Sequence, residues 1–422
     1  MTTPDLKKII SSSGINFLFR VFGLGTSFLV TMLISKWYSV DTWGRYSLVF
    51  TIAQASAMIF ALGIPNALVK IVGNEGLDFK AAKKLLVKGV KITLLVSIIP
   101  VLLFAFGSGF LSDVVFESHQ LRNYFLILTF SLPLFILHEL FLYFFVATKN
   151  FLKFGLFMFF MPNVVLLLLL AFINYMEYAE HFTFFCFMLS ILLTVVLEAI
   201  FIFEMKPNRE QSAVTSGQLL KTASPMMFSG IMLYLLNWTD IVILGVMTTE
   251  EQVGIYNIAF KIGSAVFIVI VSINTIISPK MAELCGRGDI RQLKKLVHNS
   301  TRLVALLSLP LSAGLILLAP FILSFFGEGA IAGQTALIIV VAGVFFSAAC
   351  GNVDQILNMS GNAVVFRNIT ILCFFLNAIL NVVFIPRYGI NGAAIASLIT
   401  NVFMNIIAVC YIKKKLGFYT FV

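Results

Sequence analysis

Apolar runs of membrane-spanning length recur along the whole chain, separated by short polar turns. A helix that crosses a bilayer needs about 20 apolar residues. Such runs are expected near residues 13–36, 43–69, 86–111, 121–148, 152–175, 181–204, 218–247, 252–279, 298–326, 331–358, 364–386 and 390–412. They are too long, and alternate too little with period two, to be barrel strands. The pattern therefore predicts an all-α polytopic membrane protein of twelve spans.

The positions of Lys and Arg orient those spans. With the N-terminus inside, 23 of the 29 basic residues fall on inner segments, and Lys36, Arg45, Arg122 and Arg387 on outer ones. Arg20 and Lys261 remain within spans. This asymmetry fits an even number of spans with both termini cytoplasmic. Lys7 and Lys8 precede an apolar run too long for a signal-peptide core, so an uncleaved first span is expected.

The chain also looks duplicated. Gly44, Tyr46, Phe50 and Lys70 recur as Gly254, Tyr256, Phe260 and Lys280, a shift of 210. A Lys-Lys cluster follows each, Lys83-Lys84 and Lys294-Lys295. A shift of six spans keeps the membrane orientation, so the halves form a parallel repeat, one of the ways transporters are built. The most polar stretch, Lys206 to Gly217, is the expected hinge, giving one bundle at 1–207 and a second at 208–422.

Composition narrows the functions. Of 422 residues, 60% are hydrophobic and 11% charged, which excludes a soluble enzyme or secreted globular protein. The net charge of +10 is distributed as a topology signal and does not indicate nucleic-acid binding. The five cysteines form no CxxC pair and the four histidines do not cluster, so no metal is expected. No nucleotide-binding, metalloprotease or serine-hydrolase motif occurs, so neither a cofactor nor catalysis is expected.

Charges within spans are the informative residues, because each costs roughly 2.5–3.5 kcal/mol at the bilayer centre on insertion scales. Arg20 lies about 10 Å into the first span at the helical rise, and Lys261 lies near the midplane of the eighth. Both suit an anion such as a phosphate. A snorkelling or structurally paired side chain is the plainer reading of each. Four acids also fall within spans: Asp240, Glu198, Glu139 and Asp354. Each is a candidate ion-coupling group or charge partner, and Asp240 is placed to pair with Lys261 across a short turn. Asp240 and Lys261 align with Val30 and Thr51 in the first half, so these charges are not part of the duplicated framework. Span prolines such as Pro100, Pro133 and Pro310 permit bends.

The residues and their order resemble a known family. Arg20 is followed by Trp43-Gly-Arg-Tyr46 and Gly63-Ile-Pro-Asn66. Asp240-Ile-Val-Ile-Leu-Gly245 then precedes Val253-Gly-Ile-Tyr-Asn257 and Lys261. Gln355 lies near Gly361-Asn362, and Tyr388-Gly-Ile-Asn-Gly-Ala-Ala394 opens the last span. Across nearly its whole length the chain resembles the Wzx-type polysaccharide flippases of the multidrug/oligosaccharidyl-lipid/polysaccharide exporter superfamily. The resemblance implies a MATE-like fold of two six-helix bundles around a central cavity. It implies movement of undecaprenyl-diphosphate-linked oligosaccharide units across the bacterial inner membrane, from the cytoplasmic to the periplasmic leaflet. A polysaccharide polymerase and a chain-length regulator would then act on O-antigen or capsule. Arg20, Lys261 and Arg45 are the substrate-binding residues it suggests. The alternatives are a cation-coupled multidrug exporter on the same fold and, further off, a membrane glycan polymerase, which would need a large outer loop.

Overall fold

The computed structural model describes residues 3–75, 77–203 and 215–421, with no account of side chains before Leu18. The described residues are helical apart from turns. Two units are distinguished, Met1–Ile231 and Met232–Val422. The expected hinge at 207/208 lies outside the described residues. The division between the units falls later, inside a helix.

The first unit contains α1 (Thr3–Trp37), α2 (Val40–Phe60), α3 (Ile64–Glu75), α4 (Phe79–Phe110) and α5 (Leu121–Ala147). It continues with α6 (Phe151–Gly155), α7 (Met161–Tyr175) and α8 (Phe182–Phe203). Helix α9 (Ser216–Met247) leads into the second unit, which holds α10 (Glu250–Gly263), α11 (Phe267–Arg287), α12 (Ile290–Leu317) and α13 (Ala319–Ser324). After them come α14 (Gln334–Cys350), α15 (Val353–Met359), α16 (Ala363–Tyr388) and α17 (Ile390–Leu416).

Ten helical stretches among the described residues are long and apolar enough to span, or eleven if α2 and α3, bent by 47°, form one span. Helix α9, whose apolar part is Tyr234–Met247, corresponds to the seventh expected span. Every expected span thus coincides with one helix or one interrupted helix. The second is broken at Gly63, whose φ of +71° suits glycine. An added Cβ there would meet the Ala223 carbonyl oxygen at 2.5 Å, so glycine also permits close approach to α9. The fifth is interrupted by a π-turn, Leu156–Phe160, just before Pro162.

The duplication is visible in the caps. Ser39 caps α2 by accepting from the Thr42 amide, and Thr249 caps α10 from the Gln252 amide, again 210 residues on. Asp78 and Asp289 likewise cap α4 and α12. Pro100 lies within α4, and Pro310 within α12.

Each unit packs as a helical bundle. In the first, Tyr124, Phe125, Leu128 and Leu132 of α5 are essentially inaccessible. In the second, α10 and α14 approach closely because Gly263 has no side chain: a Cβ would lie 2.7 Å from Val340 Cγ1. The outward faces stay apolar, as with Phe106 and Phe130, 85% and 71% exposed, as lipid-facing helices require.

Candidate functional site

In the first unit, Arg20 sits on an exposed face of α1. Its guanidinium carbon lies 5.7 Å from the centre of the Phe159 ring. That ring belongs to the π-turn before α7, and Phe22 stacks on neighbouring Phe160 at 4.8 Å. Gly23, one turn after Arg20, makes this possible: a Cβ there would fall 2.9 Å from Phe159 Cβ. A small residue and a widened turn thus present a cation on an aromatic platform, a geometry that holds the charge without neutralising it.

Arg45 has a different setting. It is 5% exposed and joins the three turns at one end of the unit. Its Nη2 donates to Glu180 Oε2 at 2.6 Å, and its Nη1 donates to Gln120 Oε1. Thr42 donates to the same Glu180 oxygen at 2.6 Å. These residues begin α2, precede α5 and precede α8, so one ion pair fastens all three connections. It also explains an arginine on an expected outer segment, since Glu180 balances its charge.

The opposite end has its own cation. Lys83, 5% exposed, donates to the last carbonyl of α8, Phe203, at 3.4 Å and lies 5.2 Å from that ring's centre. Cations complement a helix C-terminus there.

Glu198, on α8, is fully buried and lies 3.1 Å from His138 Nδ1 of α5, which is 7% exposed. Its other oxygen, Oε1, has no hydrogen-bond partner among the described residues. Glu139 follows His138 and is half-buried. A carboxyl and an imidazole in contact, away from water, can hold one proton between them with no net charge. Sequence reading missed His138, because its partner lies 60 residues away and nothing local marks the pairing.

In the second unit, Asp240 is 3% exposed and joins three helices. Tyr256 of α10 donates to Oδ2, Ser397 of α17 donates to the same atom at 3.2 Å, and the Ile241 amide donates to Oδ1 at 2.9 Å. The pairing that Asp240 could have made with Lys261 is therefore corrected: neutral hydroxyls and an amide hold this carboxylate. The physical reason is register. Tyr256 reaches Asp240 from α10, whereas Lys261 comes more than a turn later, half-buried near the break at Ser264–Val266. Tyr256 is the repeat partner of Tyr46, but Val30 stands where Asp240 would be, so only the second unit makes this contact.

Asp354 lies on short α15, half-buried, and accepts from Gln355 Nε2 at 3.3 Å. It lines a cavity of about 350 Å³ inside the second unit. Asparagines missed in the sequence reading share that cavity. Asn405 donates to Asn401 Oδ1 and to Ser347 Oγ at 2.9 Å, and Ser347 donates to Asn401 Oδ1 at 2.6 Å. On α16, Asn381 donates to Asn377 Oδ1 at 2.9 Å. Their i, i+4 spacing was the available signal.

A family model described as polysaccharide biosynthesis protein matches residues 6–285, and one described as MatE matches residues 225–383. A probable low-salt glycan biosynthesis flippase, Agl15 of Haloferax volcanii, is 27% identical over 168 residues. That alignment covers 39% of this chain and 35% of the relative, so the match spans only about a third of the relative. Among solved structures, the lipid II flippase MurJ in an inward closed conformation gives a TM-score of 0.78 at 16% identity, covering 96% of this chain and 87% of that one. An inward-facing multidrug resistance MATE family transporter gives 0.76 at 14% identity, covering 97% and 98%. These likenesses show a MATE-like membrane fold. The match over residues 6–285, more than half of the 422, shows that the chain belongs to the polysaccharide biosynthesis protein family.

Proposed function

We propose that this protein is a flippase for a glycan carried on a polyprenyl diphosphate. It moves undecaprenyl-diphosphate-linked oligosaccharide repeat units from the cytoplasmic to the periplasmic leaflet of a bacterial inner membrane, for O-antigen or capsule. Both termini are cytoplasmic. A polymerase and a chain-length regulator act after it.

The observation that carries this reading is Arg20, an exposed cation within a spanning helix, held on an aromatic ring. A diphosphate head cannot cross about 30 Å of hydrocarbon unaided. Arg20 in the first unit and Lys261 in the second are each a cation that can substitute for its water. Arg45 supports the cargo path indirectly, because Glu180 already engages its guanidinium. The polyprenyl tail stays in lipid. The protein is a carrier and makes or breaks no covalent bond.

Transport follows alternating access, driven by an ion whose occupancy of a buried carboxylate differs between two states. Glu198 and Asp240 are the coupling acids, with Glu139 and Asp354 as further candidates for ion coupling or for partnering a basic residue. Glu198 is the stronger candidate for a proton, since one oxygen lacks a partner among the described residues and His138 touches the other.

The test is complementation of a strain lacking this gene with Arg20→Ala, Lys261→Ala and wild-type chains, scored by surface glycan. The reading expects wild type to restore glycan and each variant to fail at equal expression. Full activity in both variants would remove the anion site. The second reading, a cation-coupled multidrug exporter, draws on the four intramembrane acids. It expects normal glycan and new drug sensitivity in the deletion strain.

A further inference from the structure

Helices that face lipid have little reason to carry amides, yet the cavity in the second unit is walled by them. Asn237, Asn274, Asn377, Asn401 and Asn405 all line its 350 Å³, together with the carboxylate of Asp354. Asn274 is 9% exposed, and its Oδ1 accepts no hydrogen bond from any described residue. A buried amide oxygen is normally satisfied. This one is held on α11 at the cavity wall, which marks it as an acceptor waiting for a donor from outside the protein. Ser347, Asn401 and Asn405, cross-tied at 2.6 and 2.9 Å, form a preorganised wall.

We propose that this cavity is a subsite for a neutral sugar ring of the cargo's glycan. The proposal rests on the flippase reading and names what part of the cargo the second unit recognises.

The chemistry of the walls selects the ligand. An amide both donates and accepts, which matches a sugar hydroxyl that does the same. Phe260, Phe267 and Phe366 supply apolar surface for the C–H faces of a pyranose. The volume falls within the roughly 300–1,000 Å³ of small-molecule sites. A diphosphate is excluded, because none of the described lining residues is Lys or Arg. A polyprenyl chain would leave the amides unmet. A lone cation needs oxygens free to converge on it, whereas the Asn377 and Asn401 carbonyls already accept at 2.9 and 2.6 Å. Asp354 adds selectivity: its carboxylate accepts from a hydroxyl but repels a uronic acid.

Saturation-transfer NMR on the full chain in lipid nanodiscs tests this, with D-glucose, D-galactose, N-acetylglucosamine and glucuronate as probes. The wild type is expected to saturate ring protons of at least one neutral probe and to leave glucuronate dark. Asn274→Leu is expected to lower that signal about fivefold, the effect of one lost hydrogen bond, with an unfolding temperature at or above wild type. Val344→Phe, which fills the cavity from its wall, is expected to abolish the signal. The proposal is overturned if no neutral probe responds, or if neither variant changes the signal. It is also overturned if sodium alone stabilises the wild type through Asn274 while no sugar binds. Translocation of the lipid-linked cargo is measured with the same purified chain reconstituted into sealed liposomes. Cargo movement without sugar saturation overturns the subsite and leaves the flippase standing. Saturation without cargo movement overturns the flippase reading and leaves the cavity as a sugar site.

Discussion

Replacing Glu180 by Ala should loosen one end of the first unit more than any other single change to its turns. Arg45 would keep its buried position, with a side chain 6% exposed, and lose its counter-charge. Two charge-assisted bonds of 2.6 Å disappear, one from Arg45 and one from Thr42. Bonds to charged groups contribute about 1.5–3 kcal/mol each, and breaking a fully buried pair costs about 3–5 kcal/mol. Glu180 is 35% exposed, so water screens part of the interaction and Gln120 still holds the other guanidinium nitrogen. The expected loss is therefore about 2–3 kcal/mol, read by denaturant titration in detergent micelles. Glu180→Gln keeps an acceptor and should lose about half as much. Arg45→Met combined with Glu180→Leu removes both charges and should recover most of the Glu180→Ala deficit. A Glu180→Ala change under about 0.5 kcal/mol, the size of an ordinary surface substitution, would refute the fastening role.

Three further outcomes follow from the same reasoning. Tyr256→Phe takes a donor from buried Asp240 and should cost about 1–3 kcal/mol in the same titration, while Tyr46→Phe, which has no acid at the repeat-related position, should cost less. Gly63→Ala forces a Cβ into positive φ and against the Ala223 carbonyl, so a loss of at least about 1 kcal/mol is expected by thermal unfolding. His138→Ala leaves buried Glu198 without its observed partner. Transport in variant-bearing vesicles should then lose its response to an imposed proton gradient, whereas a structural role alone would lower stability and leave the gradient response intact.

Much of the architecture was legible because the membrane imposes simple rules. Each of the twelve apolar runs coincides with one helix or one interrupted helix, ten or eleven of them long and apolar enough to span among the described residues, and the repeat seen in the Gly, Tyr and Lys recurrences is matched by hydroxyl caps at Ser39 and Thr249. The break of the second span at Gly63 was not marked, since glycine and proline are common in membrane helices. The charges were found but their partners were not. Arg45 meets Glu180 from 135 residues away, and His138 meets Glu198 from 60 away, so each pairing depends on which helix faces which. Asp240 and Lys261 lie on adjoining spans and were candidates to pair. Tyr256 lies nearer in helical register and took the carboxylate. The asparagines of the second unit were passed over because uncharged polar residues carry a small insertion cost. Only their convergence on one cavity gives them weight.

The most direct test of the central claim is to delete the gene and measure, leaflet by leaflet, where lipid-linked oligosaccharide accumulates. The account predicts intact repeat units stranded on the cytoplasmic side, surface glycan lost, and both restored by the wild-type chain. Units that still reach the outer leaflet at the normal rate would contradict it.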